Sequence, residues 1–234
     1  MHIFYAPEIS GNTFILDEKE SRHSIRVLRM TFGTAVRLID GRGNLYEGHI
    51  SDADSRRCMI SISDVKPDYE KRSYRLHIAI SPLKNPERFE WFVEKSVEIG
   101  VDEITPLLCK NTEKQSVKQE RINNIIISAM KQSIKAGKTI FNEPCTFDNF
   151  IAKPLLSTNM IAHCSTSTNR AGISEVYIKN ENAVVMIGPE GDFSNDEISS
   201  AVRSNFIPVH LGSSRLRTET AGVAACHSIY FMNQ

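Results

Sequence analysis

From Tyr74 onward the chain alternates short aliphatic or β-branched runs with amphipathic helical stretches, and this alternation limits the fold more than any other feature. YRLHIAIS reads as a strand, and NPERFEWFVEKSVEIG as the helix after it. Asn85 is its expected N-cap, Pro86 its first helical position and Gly100 its stop. Phe89, Phe92, Val93 and Val97 fall on one face of that helix. EITPLLC, TNMIAHCS, AVVMIGP and PVHLG read as further strands. QERINNIIISAMKQSIKAG, SNDEISSAVRSN and the apolar RTETAGVAACHSIYFMN read as helices. Ser194 and Glu197 form an S-x-x-E capping box. Such alternation builds a mostly parallel sheet covered on both faces. Before residue 66 the rhythm differs: HIFYAP, TFILD, AVRLID, LYEGHI and CMISISDV are short β-rich runs between turn residues. One helix is expected among them, over Glu18–Met30, with Asp17 as N-cap. The polar stretch KPDYEKRS (66–73) is the expected linker. The class is therefore α/β, with domains expected at 1–68 and 73–234.

Composition removes several functions. No apolar run approaches the ~20 residues of a membrane span, and MHIFYAPEIS has neither the basic start nor the apolar stretch of a secretion signal. A cytoplasmic protein without a membrane partner is expected. The 5 Cys are scattered with no CxxC, and the 7 His lack metal-ligand spacing, so they read as reduced thiols and no metal is expected. Lys plus Arg (28) balance Asp plus Glu (28), so contact with nucleic acid must come from local clusters.

Two such clusters exist. Between Ser21 and Arg42 there are five Arg against one acid, and on the expected helix Arg22, Arg26 and Arg29 share a face, with His23 beside them. Between Lys110 and Lys138 there are seven Lys or Arg against two acids, Lys131 and Lys135 among them. A solvated surface and a phosphate-contacting surface both fit these stripes.

Ligands of parallel α/β sheets bind at the carboxyl ends of the strands, and two such ends stand out. The first is the corner in VVMIGPEGDFSNDEI. It is a poor phosphate cradle, because Pro189 has no N–H and Glu190 and Asp192 bring negative charge. A neutral or cationic ligand suits it better, S-adenosylmethionine among them. The second is HLGSSRLRTETAG, 210–222, with Arg215, Arg217 and Glu219 leading into the apolar terminal helix. The plain alternatives are a tight turn with a helix cap for the first, and a solvated loop with Thr218 as N-cap for the second.

IGPEGDFSNDE and LGSSRLRTETA resemble the two signature loops of the SPOUT (α/β-knot) RNA methyltransferases, and more narrowly the ribosomal RNA small subunit methyltransferase E family. HSIRVLR (23–29) and EKSVEIGVDEITPL (94–107) match two further motifs, the second with Ile99 in place of Leu. KQSIKAG (131–137) is a looser match, with Lys131 and Lys135 standing where the family has Glu and Arg. Asp192 stands where the family usually has a second glycine. The resemblance implies a C-terminal trefoil-knotted SPOUT domain and a small N-terminal PUA-like β-barrel for RNA. It also implies an obligate homodimer that uses S-adenosylmethionine to methylate N3 of one uridine of 16S rRNA within the small ribosomal subunit. The implied cofactor site is Ile187, Gly188, Pro189, Glu190, Gly191, Leu211, Gly212, Leu216, Arg217 and Thr218. Arg217 is the implied catalytic cation, with Arg215 and Glu190 as further candidates, and Arg22, His23, Arg26, Arg29, Lys131 and Lys135 are the implied RNA contacts. Two alternatives remain open: another SPOUT enzyme acting on tRNA or on a ribose 2′-OH, and a non-catalytic RNA-binding assembly factor.

Overall fold

The computed structural model describes residues 2–153, 158–165 and 169–234. They form two compact units, Met1–Lys71 with Met130–Lys138, and Arg72–Ala129 with Thr139–Gln234.

In the first unit the β-branched runs become β1 (His2–Tyr5), β2 (Thr13–Ile15), β3 (Ala35–Ile39), β4 (Leu45–Asp52) and β5 (Met59–Lys66). They pair in the order β1-β3-β4-β5-β2, antiparallel except for β1 with β3. Phe4, Leu38, Ile50 and Ile60 fill the core beside this five-stranded sheet. Asp17 does cap a helix, its carboxylate accepting the Glu20 N–H at 2.7 Å. The helix itself is shorter than expected: α1 covers Glu18–Arg22 and gives way to a wider π-type turn over His23–Val27. A π turn breaks the 3.6-residue period, and Arg29 lies beyond it in the left-handed region, at φ 53°. Arg22, Arg26 and Arg29 therefore do not form one helical face.

The same unit holds a buried carboxylate. Asp40 accepts from the backbone and side chain of both Arg42 and Asn44 and from the Tyr46 hydroxyl. Burial pushes its pKa up, but these donors outweigh burial and hold it below the ordinary carboxylate value. The turn it organises also receives residues 136–138. The Gly43 N–H donates to the Ala136 carbonyl at 3.1 Å and the Lys138 N–H to the Gly41 carbonyl at 2.9 Å.

The second unit follows the strand–helix alternation. Its elements are β6 (Leu76–Ile80), α2 (Pro86–Ile99), β7 (Glu103–Leu108), α3 (Gln119–Ser133, within this unit up to Ala129), β8 (Ile140–Phe141), β9 (Cys145–Thr146) and α4 (Phe147–Ile151). After them come β10 (Thr158–Ala162), β11 (Ala171–Gly172), α5 (Ile173–Val176), β12 (Ala183–Ile187), α6 (Asn195–Arg203), β13 (Ile207–His210) and α7 (Thr218–Met232). The sheet runs β11-β13-β10-β12-β6-β7-β8 with β9 beside β7, and every pairing among the described residues is parallel. Asn85 caps α2 through the Glu87 N–H, Gly100 ends it at φ 114°, and the Ser194–Glu197 box closes in both directions. Ile161, Val184, Met186, Phe150 and Phe193 form a core on one side of the sheet.

The apolar α7 leaves β13 and packs against β12, β6 and α2. Its crossing with α2 depends on Gly222, because a Cβ there would sit 2.5 Å from the Phe92 ring. The N-cap of α7 is Arg217, not Thr218, and its side chain makes no capping bond. Among the described residues, no helix is long and apolar enough to cross a membrane and no group of ligating side chains could hold a metal.

Candidate functional site

The strands β13, β10 and β12 are neighbours, and their carboxyl ends open into a cavity of about 420 Å³ within the second unit. Its volume lies in the range of small-ligand sites, roughly 300–1,000 Å³. The two segments read from the sequence meet there. Ile187, Gly188, Pro189 and Glu190 form one wall, and Leu211, Gly212, Arg215, Leu216, Arg217 and Thr218 form the other. Gly191 is not in the wall; its carbonyl is held from outside by Asn111 Nδ2 at 3.3 Å.

The corner is fixed by its neighbours. Asn111, in the turn after β7, also reaches the Asp192 carbonyl at 3.0 Å, and the Lys110 N–H donates to Glu197 at 2.8 Å. One Glu190 oxygen accepts the Lys84 N–H at 3.2 Å, which ties this candidate to the backbone. A Cβ on Gly188 would come within 3.0 Å of the Phe193 ring, so the glycine makes room for that ring and not, as an open ligand contact would suggest, for the cavity's occupant. Asp192 takes the left-handed conformation a glycine would take, at φ 62°. Its carboxylate accepts the Cys164 and Phe193 N–H groups, both at 2.8 Å, and so joins the corner to the end of β10.

The opposite wall carries cations. Arg215 and Arg217 are exposed and their side chains make no hydrogen bond or ion pair among the described residues, and Gly212 turns the loop at φ 111°. Arg88, from α2, stands 3.8 Å from the buried Glu219 carboxylate at the start of α7.

His163 lies at the floor, 4% exposed, and neither ring nitrogen has a hydrogen-bond partner of good geometry. The Ser165 backbone is near enough to favour protonation without reaching that geometry. Burial pulls the His163 pKa below its ordinary value; Asp192 opposes the shift and Arg170 adds to it. A buried imidazole flanked by Asp192 and Arg170, with the apolar Ile187, Val209 and Leu211 lining the same cavity, fits a ligand with both polar and apolar parts.

Asn111, His163, Cys164, Arg170 and Arg88 were not identified from the sequence. Four of them follow or precede β7, β10 and β11, whose places in the same sheet as β12 are a tertiary fact. The asparagine turn after LLCK was the one local signal available.

The expected RNA contacts lie in the first unit, and several are already engaged. Arg22 pairs with Glu18, Lys131 with Glu20 at 2.8 Å and Lys135 with Glu70 at 3.1 Å. His23, Arg26 and Arg29 are exposed without an ion-pair partner among the described residues. A charge count that starts at Ser21 leaves out Glu18 and Glu20, the two acids that draw in Arg22 and Lys131.

The sequence pattern of an RNA methyltransferase domain matches residues 70–230, and that of an RNA methyltransferase PUA domain matches residues 16–63. The chain belongs to this RNA methyltransferase family. A crystal structure from Porphyromonas gingivalis, described as a "probable rRNA-methyltransferase", is 40% identical, covers 100% of this chain and 98% of its own, and superposes with a TM-score of 0.93. Ribosomal RNA small subunit methyltransferase E from Neisseria gonorrhoeae, solved bound to S-adenosyl methionine, is 26% identical over 100% of this chain and 98% of its own, with a TM-score of 0.89. The enzyme of the same name from Buchnera aphidicola subsp. Acyrthosiphon pisum is 27% identical over 98% of this chain and 92% of its own length. The resemblance to the small subunit methyltransferase E family, drawn from the motifs, is borne out, as is the α/β class with a PUA-like N-terminal part.

Proposed function

We propose that this chain transfers a methyl group from S-adenosylmethionine to N3 of a uridine in 16S rRNA of the small ribosomal subunit. One observation carries the reading: corner 187–190 and loop 211–218, separate in sequence, form the two walls of a single cavity over the ends of β12 and β13, on either side of β10. The relative from Neisseria gonorrhoeae, solved with S-adenosyl methionine, supports the choice of cofactor, and the relatives' names support small-subunit rRNA as the substrate.

When bound, S-adenosylmethionine supplies an electrophilic methyl on a sulfonium. Ile187, Gly188 and Pro189 would hold it on one side and Leu211, Leu216 and Thr218 on the other, the residues that line the cavity there. Uracil N3 is a weak nucleophile until its proton leaves to solvent water, and the resulting anion spreads onto the flanking carbonyl oxygens. Arg217, free of any capping bond, stabilises that charge, which makes its contact stronger in the transition state than in the ground state. Arg215 adds positive potential at the same rim. Glu190, tied to the Lys84 N–H, holds the corner's shape.

The proposal also includes a homodimer, a trefoil threading of α7, domain limits at 1–68 and 73–234, a cytoplasmic setting, and RNA contacts by His23, Arg26 and Arg29. The path of α7 from β13 back to β6 and α2 supports the threading. Nucleoside mass spectrometry of rRNA from a deletion strain tests the reading. N3-methyluridine should disappear from 16S rRNA alone; its persistence would contradict the assignment.

A further inference from the structure

Beside the cofactor cavity lies a second, open hollow of about 440 Å³, bounded by Asn85, Glu87, Arg88 and Trp91 at the start of α2 and by Arg217, Glu219 and Thr220 at the start of α7. Arg88, Arg217 and Glu219 line both spaces, so the hollow adjoins the cavity across these three side chains. Arg88 and Trp91 are three residues apart on α2 and therefore share a face. Trp91 is 43% exposed and is the chain's only tryptophan. Glu219 is buried, with Arg88 as its ion-pair partner at a loose 3.8 Å, which leaves its carboxylate able to accept from a ligand.

These groups have a specific complement. Uracil presents an acceptor, a donor and an acceptor along O4, N3–H and O2. The two guanidiniums and the Glu219 carboxylate, the charged groups that also face the cofactor cavity, supply the matching donors and acceptor, while Glu87 and Asn85 line the hollow but not the cavity. Cytosine offers no N3–H to a carboxylate. An exposed indole offers a flat face on which a base extruded from the RNA can stack. We infer that this hollow is the acceptor-base subsite. Trp91 stacks the target uracil, Arg88 and Arg217 donate to its carbonyl oxygens, and Glu219 accepts its N3–H. The base is thereby held with N3 facing the cofactor cavity. This rests on the methyl-transfer reading above and adds to it the residues that select the base.

The single tryptophan makes the test direct. The full chain is titrated, without cofactor, with short single-stranded RNAs identical except for one central uridine, cytidine or N3-methyluridine, and Trp91 fluorescence is followed. The uridine RNA should quench and bind most tightly. Trp91→Ala should weaken binding about 5- to 150-fold, the equivalent of one lost base stack, while Trp91→Phe retains most of it. Cofactor affinity by calorimetry should not change in either variant, since Trp91 lies outside the cofactor cavity. Glu219→Gln should abolish the preference for uridine over N3-methyluridine.

Equal quenching by all three RNAs, or none by any, would overturn the subsite. So would quenching that follows protein concentration and not RNA, because a second copy would then be covering Trp91. If small subunits are methylated at uridine N3 and Trp91→Ala does not change the rate, this inference fails alone. If no uridine is methylated, the broader reading fails.

Discussion

On one side of the cofactor cavity, corner 188–192 is held at nearly every residue. Phe193 fills the space under Gly188, Lys84 binds Glu190, Asn111 binds the carbonyls of Gly191 and Asp192, and the Asp192 carboxylate reaches Cys164 and Phe193. On the other side, loop 211–217 is tied by the Gly212 N–H, which donates to His210 Nδ1 at 3.3 Å, and by the Ala221 N–H, which donates to the Arg217 carbonyl at 2.8 Å. The Arg215 and Arg217 side chains have no partner among the described residues. A wall fixed before binding sets affinity, because it loses little freedom when a ligand arrives. A wall of unpaired cations can respond to charge that develops during reaction. The two walls should therefore fail in different ways when mutated.

The largest expected effect is on the loop. Arg217→Ala should lower kcat by roughly 10²–10³-fold, as loss of one oxyanion donor does, with cofactor affinity nearly unchanged. Arg217→Lys should recover only part of this, since a point charge cannot reproduce the planar fork. Single-turnover methylation of purified small subunits measures both. Normal turnover in Arg217→Ala would make the loop a structural element and remove the contrast.

The corner should show the opposite split. Asp192→Ala removes two charge-assisted hydrogen bonds, each worth about 1.5–3 kcal/mol, and leaves at φ 62° a residue that tolerates the left-handed region less well than aspartate. Cofactor affinity by calorimetry should fall at least ~10-fold, with kcat at saturating cofactor largely kept. Asp192→Gly should lose less than Asp192→Ala by about 1 kcal/mol, because glycine tolerates that backbone. A kcat loss in Asp192→Ala without loss of affinity would reverse the assignment of the two walls.

The smallest effect separates the cavity from the first unit by pH. His163 is held neutral, its folded pKa lowered by burial, so the unfolded chain binds more protons below the ordinary value of 6.5. Its contribution to stability is complete above 6.5 and is lost as pH falls from there towards the folded pKa. Asp40 has a lowered pKa for a different reason, its many donors prevailing over burial. Its contribution is present above 3.8 and is lost as pH falls through the still lower folded value. Hydrogen exchange followed against pH should thus show the cavity floor loosening before the turn at Asp40. Simultaneous loosening in both would show that His163 does not control the floor.

What the sequence revealed follows the range of the interactions involved. Asn85, Pro86, Gly100 and the Ser194–Glu197 box were legible because a cap is decided within three or four residues. Both walls of the cavity were legible because each is a strand end running into a helix start. The π turn after Arg22 was not, since it carries the same residue types as the α-helix it interrupts. The short β8, β9, α4, β11 and α5 are too brief to show a period. His163 and Asn111 reach the site only because β10 and the turn after β7 lie near β12, and the pairing of Lys131 with Glu20 spans the chain. Asp192 stands where the family usually has a second glycine. In the fold it keeps the glycine-like conformation and adds two hydrogen bonds.

The most direct test of the account is methyl transfer itself. Purified small ribosomal subunits lacking the modification are incubated with the chain and methyl-labelled S-adenosylmethionine, and the digested rRNA is resolved by nucleoside. The label should appear as N3-methyluridine in 16S rRNA with the wild-type chain and fall to near background with Arg217→Ala. Label on a ribose 2′-OH, label in added tRNA but not in the subunit, or no transfer at all would contradict it.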